Sequence, residues 1–343
     1  MEGSHPTTTT IPSDPTIPTE SSASIPDKTP YPPPNPTLLQ KLRFILLKHL
    51  ASAAHSTDRN LVRLSKLLST PSGTDALLCT ISYTLTLLRT LLSRLLERKL
   101  AKIATDIAEK ADGILLPGET LIATLPTPAS TKLIAQAVGS SKALADIIGD
   151  YRIFVRLWGM VGMYTWARST YRDPLPVDAS RKDKVLRSLT WAAIASCVGF
   201  QVLENGAYLS SKGVLTTASW TGDVGKARED RWWLWSSRFW AAYVGVELVR
   251  LGVMRYYTSP PPTQMEEFGG DGEKEDKIRK EETLRKEQLG NWLWWKDLAS
   301  NVAYAPMTFH WSMEQGLLSD WGVGACGIVA GGALLADAWR TTV

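Results

Sequence analysis

The order of apolar and polar residues reads as helix almost throughout. From Leu38, the leucines Leu39, Leu42, Leu46 and Leu50 recur at spacings of three and four, with Lys41, Arg43 and Lys48 between them. That period predicts a helix over 38–54. Asp58 is placed to cap a second, short helix over 59–68. Pro71-Ser72-Gly73 breaks the pattern, and Thr74 or Asp75 caps a long third helix running to about Ala111. The prolines Pro117, Pro126 and Pro128 mark a loop, and a helix over 140–169 ends near Asp173-Pro174. Apolar helices follow over 185–210 and 232–257. No run alternates with strand period and no internal repeat is present. The expected class is all-α: a membrane-associated helical protein with amphipathic surface helices, one or two short membrane-spanning helices and a disordered N-terminal head.

Six regions follow. Residues 1–37 are rich in Pro, Thr and Ser, without an apolar h-region or basic amphipathicity. This composition excludes a secretory or mitochondrial leader and predicts disorder. Residues 38–111 form a basic amphipathic helical region and 112–139 a loop. Residues 140–260 are helical, with a candidate span at 188–203. Residues 261–290 are a charged linker, in which Glu266–Glu287 holds nine acids and six bases; helix is expected near Lys277–Leu289. Residues 291–343 form a Trp/Gly-rich C-terminal membrane anchor.

Charge sharpens this division. The net +4 of the 343 residues belongs to one block: residues 38–110 carry twelve bases and five acids, whereas 111–343 hold equal numbers. A pI of 8.8 is too mild to imply a nucleic-acid partner, and a mean hydropathy of −0.09 argues against a transporter built mostly of spanning helices.

On the third helix, one face gathers Leu85, Leu88, Leu92 and Leu95, while Arg89, Arg94, Arg98 and Lys99 lie among the polar positions. Between Arg89 and Lys102 there are five bases and one acid. Such a helix can lie in an anionic phospholipid surface, leucines in the acyl boundary and cations on headgroups. The same period also fits a helix buried in a bundle; the one-sided charge favours the membrane.

No stretch reaches the ~18 uncharged residues of an ordinary span. Ser188–Leu203, Leu298–Met313 and Trp321–Ala336 come near it. In the last, Gly327 and Gly331 stand in GxxxG spacing with Gly324 nearby, a pattern that lets helices pack closely in lipid or self-associate. All 14 tryptophans lie at or beyond Trp158. Two clusters, Trp232-Trp233-Leu234-Trp235 and Trp292-Leu293-Trp294-Trp295, suit membrane interfaces. If the two outer segments span, the Lys/Arg distribution puts both chain ends in the cytosol and the acidic linker in the lumen.

Chemistry is not signalled. Cys79, Cys197 and Cys326 are widely spaced in apolar runs, and the four histidines lack metal-ligand spacing. No nucleotide, hydrolase or zinc motif occurs, so no enzyme, cofactor or metal is expected.

The runs LVRLSKLLSTPSGTDALLCTISYTL (61–85), DYRIFVRLWGMVGMYTW (150–166), FQVLENGAYLSSKGVL (200–215) and RWWLWSSRFWAAYVG (231–245), in this order, resemble the peroxisomal biogenesis factor 11 family, most closely its filamentous-fungal branch. The resemblance implies a peroxisomal membrane protein that inserts an amphipathic helix, curves and elongates the membrane, self-associates as a homo-oligomer, and recruits dynamin-type fission machinery. It maps the remodelling helix onto 75–102. The long head and the acidic 266–287 insertion depart from the family pattern. The alternative is a metabolite pore of the peroxisomal membrane, lined by Arg152, Arg156, Glu204 and Asn205.

Overall fold

A computed structural model describes residues 38–112, 128–257 and 273–342. Within these there are eight helices and no strand. They are α1 (Leu38–Leu68), α2 (Pro71–Asp112), α3 (Ala129–Arg156), α4 (Gly159–Arg172), α5 (Arg181–Ser211), α6 (Gly222–Tyr256), α7 (Glu273–Trp311) and α8 (Asp320–Arg340). The all-α class holds. The expected disordered head lies outside the described residues, as do parts of the 112–139 loop and the 261–290 linker.

The chain divides into two units, 1–57 and 58–343. In the first, α1 begins as an amphipathic helix whose Ile45, Leu46, Leu47 and Leu50 are 51–61% exposed. The second unit is a bundle in which helices pack in the order α3, α2, α8, α7, α6, α5, with α4 on α5.

Neighbours in that row run antiparallel. Ser210 Oγ donates to Glu229 Oε2 at 2.9 Å, near the end of α5 and the start of α6. Trp294 Nε1 donates to the Leu251 carbonyl at 3.0 Å, pairing the first half of α7 with the end of α6. Ser300 reaches the Ala330 carbonyl, and Arg340 lies 4.3 Å over the Trp292 ring. The starts of α2 and α5, the end of α8 and the linker half of α7 therefore share one end of the bundle. α6 and α7 each traverse the bundle, returning the chain to the end at which α5 starts.

Several boundaries differ from the sequence pattern for physical reasons. The expected break near Asp58 is absent, since no Gly or Pro interrupts 38–68 and α1 simply continues. The expected loop up to 139 is cut short, as the Pro128 carbonyl accepts from the amides of Thr131 and Lys132 and starts α3 at Ala129. The expected single helix over 140–169 is interrupted at Leu157-Trp158, directly before Gly159, a residue of low helix propensity. There, Asn205 Nδ2 of α5 donates to the Leu157 carbonyl at 3.3 Å, and Gly159 lies tight against Gln201. α5 begins at Arg181 because the Ser180 hydroxyl accepts from the Asp183 amide. The linker is helical from Glu273, where alternating acids and bases allow i,i+4 pairing.

The α7–α8 turn is built by one imidazole. His310 Nδ1 accepts from the amides of Leu317 and Leu318 at 2.8 and 2.9 Å, and Gly316 takes φ +64 with the His310 ring where a Cβ would be. That places the histidine in a structural role.

Candidate membrane-embedding and remodelling surfaces

The bundle is small inside and large outside. Ala76, Cys79, Ala193, Ala207, Ala330, Gly324, Gly327 and Gly331 are buried, while Leu133, Ile147, Trp158, Val161, Val249, Phe309 and Val329 are exposed. In water, an exterior of this kind would leave contiguous apolar patches far beyond those of ordinary soluble monomers. In lipid, where helices associate through small residues, it is the expected arrangement. Among the described residues, three helices are long and apolar enough to cross a membrane: Pro71–Lys110, Arg181–Ser211 and Asp320–Arg340. At 1.5 Å per residue the 21 residues of α8 extend about 32 Å, matching a ~30 Å hydrocarbon core. The expected one or two short spans thus become three candidates, the added one being the helix assigned to the membrane surface.

The glycine face of α8 packs on α2 of the same chain. A Cβ at Gly324 would lie 3.1 Å from the Leu87 backbone, at Gly327 2.1 Å from Tyr83 Cγ, and at Gly331 3.0 Å from Thr80 Oγ1. These three residues form an intramolecular seam.

The residues singled out on α2 separate into different settings. Leu88 and Leu95 are 43% and 44% exposed, as are Ile81 and Leu91 in the same stripe; Leu85 and Leu92 are half-buried. Arg89 Nη2 lies 2.7 Å from Asp320 Oδ2, so this arginine ties α2 to the first residue of α8, whose N-cap is Ser319. Residues 90–112 continue α2 beyond that ion pair. Arg94 and Arg98 are exposed and Lys99 is half-buried.

Half-buried ion pairs bind α3 to its neighbours. Arg152 donates to both Asp75 oxygens at 2.7 and 3.2 Å, and Arg156 to both Glu204 oxygens at 3.1 and 2.9 Å. Both forks are bidentate, the strongest geometry for an arginine–carboxylate pair. Gln201 Nε2 donates to Asn205 Oδ1 at 2.6 Å while Asn205 holds the Leu157 carbonyl. The four residues proposed to line a pore are thus engaged in helix-to-helix bonds. Farther along, Lys212 pairs with Asp150 at 2.7 Å, a hydrogen bond that raises the lysine pKa. Lys226 is pushed up to about 12 by its hydrogen bonds to Glu229 and Asp230.

The tryptophans divide between interior and exterior. Trp240 stacks on Trp311 at 5.6 Å and approaches Tyr304 and Phe200, forming an aromatic column across α5, α6 and α7. Trp232 packs edge-on to Trp220 against Gly206. Trp158, Trp235 and Trp295 are exposed. The two Trp clusters sit at opposite bundle ends: Trp232 is near the start of α6, and Trp294 lies 5.2 Å beneath Arg255 near its end. Twenty-three residues of α6 separate these levels, about 35 Å of helix rise and close to a bilayer core.

Among the described residues no group of three or more His, Cys, Asp or Glu could hold a metal ion. All three cysteines are free; Cys79 is buried, 3.4 Å from the Tyr304 hydroxyl. Sequence reasoning missed α1 as the helix with the most exposed apolar face, though its leucine period and bases were visible. It also missed the arginine–carboxylate forks, which no spacing could reveal.

The chain is 27% identical over 189 residues to a Schizosaccharomyces pombe protein described as uncharacterized, an overlap of 55% of this chain and 67% of that one. No solved structure matches it. The pattern defining the Peroxisomal biogenesis factor 11 (PEX11) family matches residues 129–339, from the first residue of α3 to the last turn of α8. That family comprises biogenesis factors and is not a known enzyme family. With a fold of apolar helices and a match across most of its length, the chain belongs to the peroxisomal biogenesis factor 11 family, as a peroxisomal membrane protein involved in peroxisome proliferation.

Proposed function

We propose that this protein curves and elongates the peroxisomal membrane ahead of fission by combining an embedded bundle with a basic amphipathic helix in the headgroup layer. The observation carrying this reading is α1: Ile45, Leu46, Leu47 and Leu50 are exposed, with Arg43 and Lys48 beside them. An apolar face of that size gains free energy by entering the acyl boundary. Arg43 and Lys48 each add roughly 1 kcal/mol near anionic lipid. Wedging such a helix into one leaflet expands that leaflet and bends the membrane.

The α2 leucines take a second position. Leu88 faces the acyl region near the level where Arg89 meets Asp320, and Arg94, Arg98, Lys99 and Lys102 fall beyond it, at headgroup depth. This keeps the expected lipid contacts while assigning the surface insertion to α1. We place the start of α5, with Arg181, Lys182, Lys184 and Arg187, and the end of α8 on the cytosolic side, the bases of α2 beyond Arg89 lying at the other end. The chain termini and the linker then share the cytosolic side, where dynamin-type machinery is accessible. Homo-oligomerisation would use a face other than the α2–α8 seam.

Reconstitution of the full chain into giant vesicles containing anionic phospholipid tests the reading. Wild-type protein should draw out tubules. Leu46→Glu with Leu50→Glu should leave the protein carbonate-resistant and abolish tubulation. Tubulation undiminished by both substitutions refutes the role of α1.

A further inference from the structure

The bundle holds a groove of about 850 Å³ where α3, α5, α6 and the α7–α8 turn meet. This lies within the usual range of small-ligand sites. Its walls are apolar and aromatic, including Ile153, Phe200, Trp233 and Trp311. Its charges can be followed one by one. Arg156 is matched by Glu204 in the bidentate fork, and Asp230 by Lys226 at 2.9 Å. Arg231 and Glu314 also line the groove, and neither has a hydrogen-bond or ion-pair partner among the described residues. One cation and one anion are left over beside an aromatic wall.

The complement of that surface is a ligand bearing one negative and one positive charge joined to an apolar body. We propose that the groove holds the headgroup of a zwitterionic phospholipid. Arg231 takes the phosphate, Glu314 faces the ammonium, and the glycerol and upper acyl chain lie along Ile153 and Phe200. Arginine suits the phosphate because its fork donates in pairs. Depth favours a lipid over a soluble phosphodiester. Arg231 lies in the early turns of α6 and Glu314 in the α7–α8 turn, the bundle end where short connections cluster and headgroups lie. The proposal rests on the membrane-embedded reading of the bundle, and gives that bundle a lipid held in a fixed place.

Native mass spectrometry of the delipidated full chain in detergent tests it, with three probes: dioleoylphosphatidylcholine, dioleoylphosphatidylglycerol and glycerophosphocholine. One phosphatidylcholine per chain is expected, bound more tightly than phosphatidylglycerol, which lacks the ammonium. Arg231→Gln should weaken phosphatidylcholine about ten-fold, as for loss of one charged hydrogen bond. Glu314→Gln should erase the preference over phosphatidylglycerol, and Arg255→Gln, outside the groove, should change neither. Equal binding of the two lipids by the wild type, or unchanged binding by both groove variants, overturns the proposal. Glycerophosphocholine binding as tightly as the lipid overturns its lipid part. Carbonate extraction of the same membranes separates the two readings. Protein retained in the membrane without selective lipid binding sinks the groove alone, and protein released sinks the embedded bundle.

Discussion

Adding one methyl group to the α2–α8 seam should cost more than helix propensity returns. A Cβ at Gly327 would sit 2.1 Å from Tyr83 Cγ, with Cδ1 and Cδ2 at 2.3 and 2.5 Å. Ordinary carbon contacts begin near 3.5 Å, so the helices must part by more than an ångström or the ring must leave. Because the clash is at the root of the ring, rotation about the outer bond cannot relieve it. Overpacking of this kind costs about 1–3 kcal/mol, and glycine to alanine in a helix returns about 1 kcal/mol. The structure supplies its own control in Gly332, one residue away, where an added Cβ meets nothing within 4 Å. Gly327→Ala should therefore unfold at lower denaturant concentration than wild type, and Gly332→Ala at equal or higher. Gly331→Ala should fall between them, because Thr80 needs to give by only a few tenths of an ångström. SDS-titrated unfolding of the purified chain in mixed micelles reads this order. Combining Gly327→Ala with Tyr83→Ala should recover part of the loss, a coupling that marks direct contact. Equal stability of Gly327→Ala and Gly332→Ala would refute the seam.

Three further outcomes follow. Arg156→Leu leaves the buried Glu204 carboxylate without its fork and should destabilise the bundle by about 3 kcal/mol, with Arg156→Leu plus Glu204→Leu milder than the single change; thermal unfolding in detergent measures both. In cells lacking the chain, Leu46→Glu with Leu50→Glu should fail to restore peroxisome number and length by fluorescence microscopy, whereas Leu88→Glu with Leu92→Glu should impair membrane insertion itself. Cysteines placed at Thr283 and Thr217 should react with an impermeant maleimide from opposite sides of the membrane, since the linker half of α7 and the α5–α6 connection lie at opposite bundle ends; labelling from one side would contradict the path of α6.

Much of the secondary structure was legible because helix period, prolines and caps are local. Leu39, Leu42, Leu46 and Leu50 announce a helix wherever the chain goes, and Pro71-Ser72-Gly73 announces a break, although α2 starts at Pro71 itself and not after the expected cap at Thr74 or Asp75. The Leu157-Trp158 interruption had only Gly159 as a local signal, since the amide that takes up the Leu157 carbonyl is on α5, nearly fifty residues away. The glycines of α8 signalled close packing, but the spacing is the same whether the partner is α2 or a second copy. The leucine stripe of α2 announced amphipathicity without telling a helix at the surface from one crossing beside α8.

The sequence by itself determined an all-α chain, a basic amphipathic beginning, apolar segments bearing small residues and tryptophans, and resemblance to a family of membrane proteins. These follow from residue type and period, which act over one or two turns. Only the tertiary structure decided which helices share an end, that the glycine seam closes within the chain, that Arg89 serves Asp320, and that Arg231 and Glu314 are left over in one groove. Each depends on residues far apart in sequence coming within a few ångströms, and on the groups already engaged there.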